Sequence, residues 1–151
     1  MKTLISTLAL CLAALGAQAQ TAVTGSSVRP LPDDSLYQAF GGKPGLDRLM
    51  ADFVPRLKAD PRIGEFFKET KAAELQKQLA SQLCVVSGGP CKYEGANMKD
   101  AHADMEVRKA DFNALVELLQ QSMDAQGIPF TAQNRMLAQL APMHRDVVNK
   151  R

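Results

Sequence analysis

From Asp34 to the C-terminus the apolar residues of this 151-residue chain recur at helical spacing, and no run alternates with period two for long enough to make a strand. The periodicity therefore predicts an all-α domain of four principal helices and several short turns. Leu36 to Phe40 is a short helical turn ended by Gly41-Gly42. Pro44, tolerated in a first turn, opens a longer helix with Leu46, Leu49, Met50, Phe53 and Leu57 on one face. Pro55 late in that helix removes a backbone bond and is expected to kink it. Asp60-Pro61 begins a turn that ends in Phe66-Phe67. Thr70 is the expected N-cap of a helix reaching about Val86, with Leu75, Leu79 and Leu83 along one side. A helix from about Lys109 to Gln126 carries Phe112, Leu115, Val116, Leu119 and Met123, and Gly127 stops it. After Pro129 and Thr131 the last helix turns Met136, Leu140, Met143 and Val147 inward. Periodicity alone leaves a bundle and a layered helical sandwich equally open.

The chain begins with the features of a secretory signal. Lys2 is the positive end, Leu4 to Leu15 the apolar stretch, and Ala17-Gln18-Ala19 the cleavage motif. The apolar run falls short of the ~20 residues that span a bilayer. The reading is a signal at residues 1–19, a Thr/Ser/Gly/Pro-rich flexible linker at 20–33 and one domain at 34–151, exported and periplasmic, with no transmembrane segment once processed. The formal charge of +2, with basic and acidic residues interspersed, argues against nucleic acid.

Cys84 and Cys91 remain after cleavage, and an oxidising compartment favours pairing them over leaving two thiols. On one continuous helix a seven-residue separation would hold their Cα atoms about 10 Å apart, beyond the ~7 Å that a disulfide bridges. The helix must then end between them, and Ser87-Gly88-Gly89-Pro90 is suited to ending it.

The chain has two histidines. His102 follows Met98 by four residues and precedes Met105 by three, which places the three on one helical face able to cover a flat apolar ligand. On its own such a histidine reads more readily as a structural residue than as a metal ligand. His144, after Pro142 and beside Arg145, reads as a surface residue.

An ordered series of segments adds to this. Leu36-Tyr37-Gln38-Ala39-Phe40-Gly41-Gly42, Ala59-Asp60-Pro61-Arg62, Phe66-Phe67, Gly88-Gly89-Pro90, Tyr93-Glu94-Gly95, Met98 through His102, Asp111-Phe112 and Leu140-Ala141-Pro142 together resemble the group I truncated haemoglobins, from about Ser35 to Val148. The resemblance implies a globin-like, two-over-two helical sandwich that binds haem b, with His102 as the proximal iron ligand. It places Phe67 where the family packs an aromatic ring on the haem. Phe53, Leu75, Leu79, Leu83, Val107, Phe112, Leu115, Met136 and Leu140 are inward by periodicity and would line the pocket, with Met98 beside the histidine. Tyr93 and Lys99 are the candidates for the haem propionates, though each also reads as a solvated loop residue.

The distal side departs from the family pattern. Where many members carry a tyrosine and a glutamine that hold bound oxygen, this chain has Val54 and Leu79. Leu75 completes that side, and Gln78 and Gln82 flank Leu79 as the amides able to turn inward. The resemblance implies a protein that binds oxygen, nitric oxide or carbon monoxide. Two other readings stay open: a redox enzyme acting on nitric oxide or peroxide, which would need an external reductase because the chain carries no flavin or dinucleotide motif, and a haem-free helical interaction module.

Overall fold

A computed structural model describes residues 33–150. The expected signal at 1–19 and nearly all of the expected linker lie outside the described residues. Among those residues every regular element is helical. The α-helices are α1 (Ser35–Ala39), α2 (Gly42–Ala59), α3 (Ala72–Val86), α4 (Met98–Ala101), α5 (Lys109–Ala125), α6 (Phe130–Leu140) and α7 (His144–Val147), with 3-10 turns at Gly64–Phe67 and Ala141–Met143. None of these helices is long and apolar enough to cross a membrane.

The long helices form the two expected pairs. α2 packs on α3 and α5, while α6 packs on α3 and α5 and holds α1 at its flank. Leu46, Leu49 and Leu57 of α2, Leu83 and Val86 of α3, Leu118, Leu119 and Met123 of α5 and Met136 of α6 are buried in one contiguous core. Fully burying a leucine side chain contributes about 1.5–3 kcal/mol, so α2 alone brings a large share of the stabilisation.

Three local expectations are corrected. Thr70 does not cap α3: the cap position is Lys71, with extended backbone, and the Thr70 N–H donates to the carbonyl of Phe67 at 3.2 Å. The last helix is not continuous, because Pro142 cannot donate to the helical ladder and residues 141–143 tighten into a 3-10 turn before α7. The turn before His102 is also shorter than its spacing implied, ending at Ala101 with His102 as C-cap. Pro55 lies inside α2, which runs on past it to Ala59.

At the end of α3 the chain reverses at Gly88, whose φ of +83° suits glycine and leaves no room for a side chain, since an added Cβ would sit 2.0 Å from the carbonyl oxygen of Asp33. The N–H of Gly88 donates to Val85 and that of Gly89 to Cys84, closing the helix end. This reversal brings Cys91 back to Cys84 with Cα atoms 5.9 Å apart, and the two form a disulfide.

Candidate haem pocket

Between the helix pairs lies a cavity of about 320 Å³. Its walls are the stripes that helical periodicity puts on one face: Met50, Phe53 and Leu57 from α2, Leu75, Gln78, Leu79, Gln82 and Leu83 from α3, and Phe112, Leu115, Val116 and Leu119 from α5. Phe66, Phe67 and Thr70 close one end, Tyr93, Met98, Ala101, His102 and Met105 another, and Leu140, Met143 and Val147 come from the C-terminal elements.

His102 is held by a short but well-capped segment. The Asn97 side chain accepts from the N–H of Asp100 at 2.9 Å, which starts α4, and the Ala101 N–H returns to the Asn97 carbonyl at 2.9 Å. The His102 ring then lies 2.7 Å, through Nδ1, from the carbonyl of Met98. A carbonyl can only accept, so Nδ1 carries a proton and the neutral ring keeps its free lone pair on Nε2. That is the tautomer a metal ligand needs, fixed by the neighbour one turn back.

The polar groups in the wall are few. Tyr93 donates its hydroxyl to the Ala96 carbonyl at 3.0 Å, and burial pushes its pKa up, so it is a neutral donor at pH 7. Gly95 makes room for it, since an added Cβ would meet the Tyr93 hydroxyl at 2.4 Å. The Gln82 amide is buried and donates to two thioethers, Met98 Sδ at 3.2 Å and Met143 Sδ at 3.7 Å. Gln78 donates to Glu74 at 2.8 Å from the same helix face. The Lys58 ammonium gathers the carbonyls of Phe67, Lys68 and Thr70, the last at 2.7 Å, and so pins the corner that carries the two phenylalanines.

Most of the residues expected at the site come together on the cavity wall: Phe53, Phe67, Leu75, Gln78, Leu79, Gln82, Leu83, Tyr93, Met98, His102, Phe112, Leu115 and Leu140. Five expectations are placed differently. Met136 is fully buried in the core but is not part of the wall. Val54 is fully buried but is not part of the wall. Val107 is buried in a small side cleft behind Phe67 and His102, shared with Ile63 and Asp111. Lys99 is exposed and away from the wall, because α4 turns the Met98 side inward and the next residue outward. His144 is half-buried rather than a surface residue, its ring edge-on to Phe112 at 4.9 Å.

Thr70, Met105, Val116, Leu119, Met143 and Val147 also line the cavity. The helical stripe pointed to four of them as core positions. Thr70 gave no such signal, because its place depends on the corner fixed by Lys58.

The chain was compared with known proteins. Residues 35–149 match the model of the bacterial-like globin family. A group 1 truncated haemoglobin of Tetrahymena pyriformis is 28% identical over 116 residues, covering 77% of this chain and 96% of that protein. One from Synechocystis is 30% identical over 126 residues, covering 77% and 98%. The crystal structure of the Tetrahymena pyriformis protein in its Fe(III) form superposes with a TM-score of 0.73 over 76% of this chain and 98% of the other. A group II truncated haemoglobin from Bacillus anthracis, 21% identical, shares the fold with a TM-score of 0.70.

Proposed function

Because the chain belongs to the bacterial-like globin family, and within it to the group 1 truncated haemoglobins, a haem-binding globin is implied, and we propose that it holds haem b in this cavity through His102 and takes up a diatomic gas such as oxygen, nitric oxide or carbon monoxide. The observation that carries the assignment is the His102 ring on an apolar wall with Nδ1 committed to the Met98 carbonyl, which leaves Nε2 for iron. Bound haem would supply an iron with a free coordination position and one-electron redox chemistry.

The chain's own residues do the rest. The Met98 carbonyl orients the imidazole and raises its basicity as a ligand. Phe53, Phe66, Phe67 and Phe112 exclude water from a flat apolar face. Tyr93, a neutral hydroxyl on the cavity wall, is the residue we assign to a propionate, toward which its proton would turn from the Ala96 carbonyl. Leu79 puts hydrocarbon where many relatives place a donor, with Leu75 beside it, so the gas site is apolar unless the Gln78 or Gln82 amide leaves its present partner. Such a site releases oxygen quickly and exposes iron to oxidation, which calls for an external reductant. Export is part of the reading; the Lys2 to Ala19 pattern and the Cys84–Cys91 bridge support it, since disulfides persist in oxidising compartments.

Absorption spectra of the ferric, ferrous and carbon monoxide forms test the proposal. We expect a Soret band in the parent and in His144→Ala, and loss of stable haem in His102→Ala. Equal retention in both variants would overturn His102 as the ligand, and a parent that stays colourless with added haem would overturn the function.

A further inference from the structure

We propose that Asn149 is a positioning residue for His102, and that the C-terminal segment acts as a clamp on the proximal loop; the inference rests on the haem reading above. The seven residues from His102 to Arg108 lie in no helix, although they follow directly from the candidate iron ligand. Within that loop the backbone supplies little support: Ala103 N–H reaches Asp100 at 3.4 Å and Met105 N–H reaches His102 at 3.1 Å. The chain end supplies more. Asn149 Nδ2 donates to the carbonyls of both His102 and Ala103, at 2.5 and 3.1 Å. The N–H groups of Asn149 and Lys150 both donate to the Val107 carbonyl, at 3.1 and 3.0 Å. Lys150 also pairs with Glu106, whose φ of +50° lies in the left-handed region that a side-chain-bearing residue adopts at a cost. The loop is thus gripped at its first, second, fifth and sixth residues by two residues 40 or more positions away in sequence.

The grip at His102 is on its own carbonyl, so it fixes the backbone from which the imidazole hangs. The Met98 carbonyl fixes the ring's rotation, and Asn149 fixes the position of its root. A looser root would let the imidazole shift along the cavity wall, without removing any atom from the cavity.

The test uses Asn149→Asp, which keeps the shape but has no amide donor, and Asn149→Ala, with Lys43→Met as the control that removes an exposed ion pair, Lys43–Asp47, outside the clamp. The readouts are the iron–histidine stretch of the ferrous protein by resonance Raman, haem transfer to excess apomyoglobin, and amide hydrogen exchange at Ala103 to Val107. Both Asn149 variants should shift and broaden the stretch, release haem about fivefold or more faster, as loss of one or two hydrogen bonds implies, and exchange the loop amides faster. Lys43→Met should leave the stretch unchanged. If the Asn149 variants lose thermal stability while the stretch stays put, Asn149 is only a structural cap and the clamp is overturned. If the parent shows no iron–histidine band, the haem reading falls and takes this role with it.

Discussion

Reducing the Cys84–Cys91 disulfide should lower stability by an amount set mainly by the unfolded chain. The bridge closes a loop with a sequence separation of 7. For so short a loop the chain-entropy relation gives about 8 cal/mol/K, or about 2.5 kcal/mol at 25 °C. In a domain of this size that corresponds to a fall in thermal midpoint of roughly 8–12 °C. Cys84 is only 1% exposed, so reductant added to the folded protein acts through opening; the comparison requires reduction in denaturant and refolding with reductant present. Reduction removes no side-chain atom, whereas a Cys84→Ala change would add a cavity term. The assay is thermal unfolding of oxidised and reduced protein at one haem load, because bound ligand itself raises the midpoint. A fall below about 3 °C would refute the argument that the bridge works by restricting the unfolded chain.

On the gas side, Leu79→Gln should place an amide on the cavity wall, lower the carbon monoxide stretch and slow oxygen release about tenfold, the factor one hydrogen bond of roughly 1.4 kcal/mol gives; an unchanged stretch would mean that position 79 does not face the ligand. The third prediction concerns acid. The hydrogen bond and charge of Lys150, with a smaller contribution from Arg108, hold the Glu106 carboxyl below its ordinary range. A lowered folded pKa stabilises above the unfolded value and ceases to do so as pH falls through the lowered one. Lys150→Met should therefore unfold at lower denaturant than the parent at pH 7, with the gap closing below about pH 4, and a gap undiminished at pH 3 would rule out the carboxylate as its origin.

What could be read from the sequence follows the reach of each signal. Leu75, Leu79 and Leu83, or Phe112, Leu115 and Leu119, repeat along one helix, and a repeat is legible without knowing what it packs on. Gly88-Gly89 marked the chain reversal because backbone sterics act locally. Thr70 misled for the opposite reason: its capping propensity is local, but a lysine twelve residues earlier takes its carbonyl and sets the corner. Lys99 looked suited to an anionic group by charge, yet one residue of helical rotation beyond Met98 turns it outward. Val54 is buried as expected of an inward position, but not against the cavity. Asn149 gave no signal, since a side chain that satisfies carbonyls 46 and 47 residues away belongs to no periodic pattern.

The 3-10 turn at Ala141–Met143 divides the chain's last eighteen helical positions into two bodies with different attachments: α6 rests on α1, α3 and α5, and α7 rests on α4. An unbroken helix from Phe130 to Val147 would be a rod about 27 Å long, and any displacement at one end would be carried to the other. The break at Pro142 lets the chain change course, so that α7 packs on α4, which ends at His102, and sets the His144 ring on Phe112 of α5, while α6 stays seated in the core. The course of the chain beside His102 is thus set in part by a proline forty residues later in the sequence.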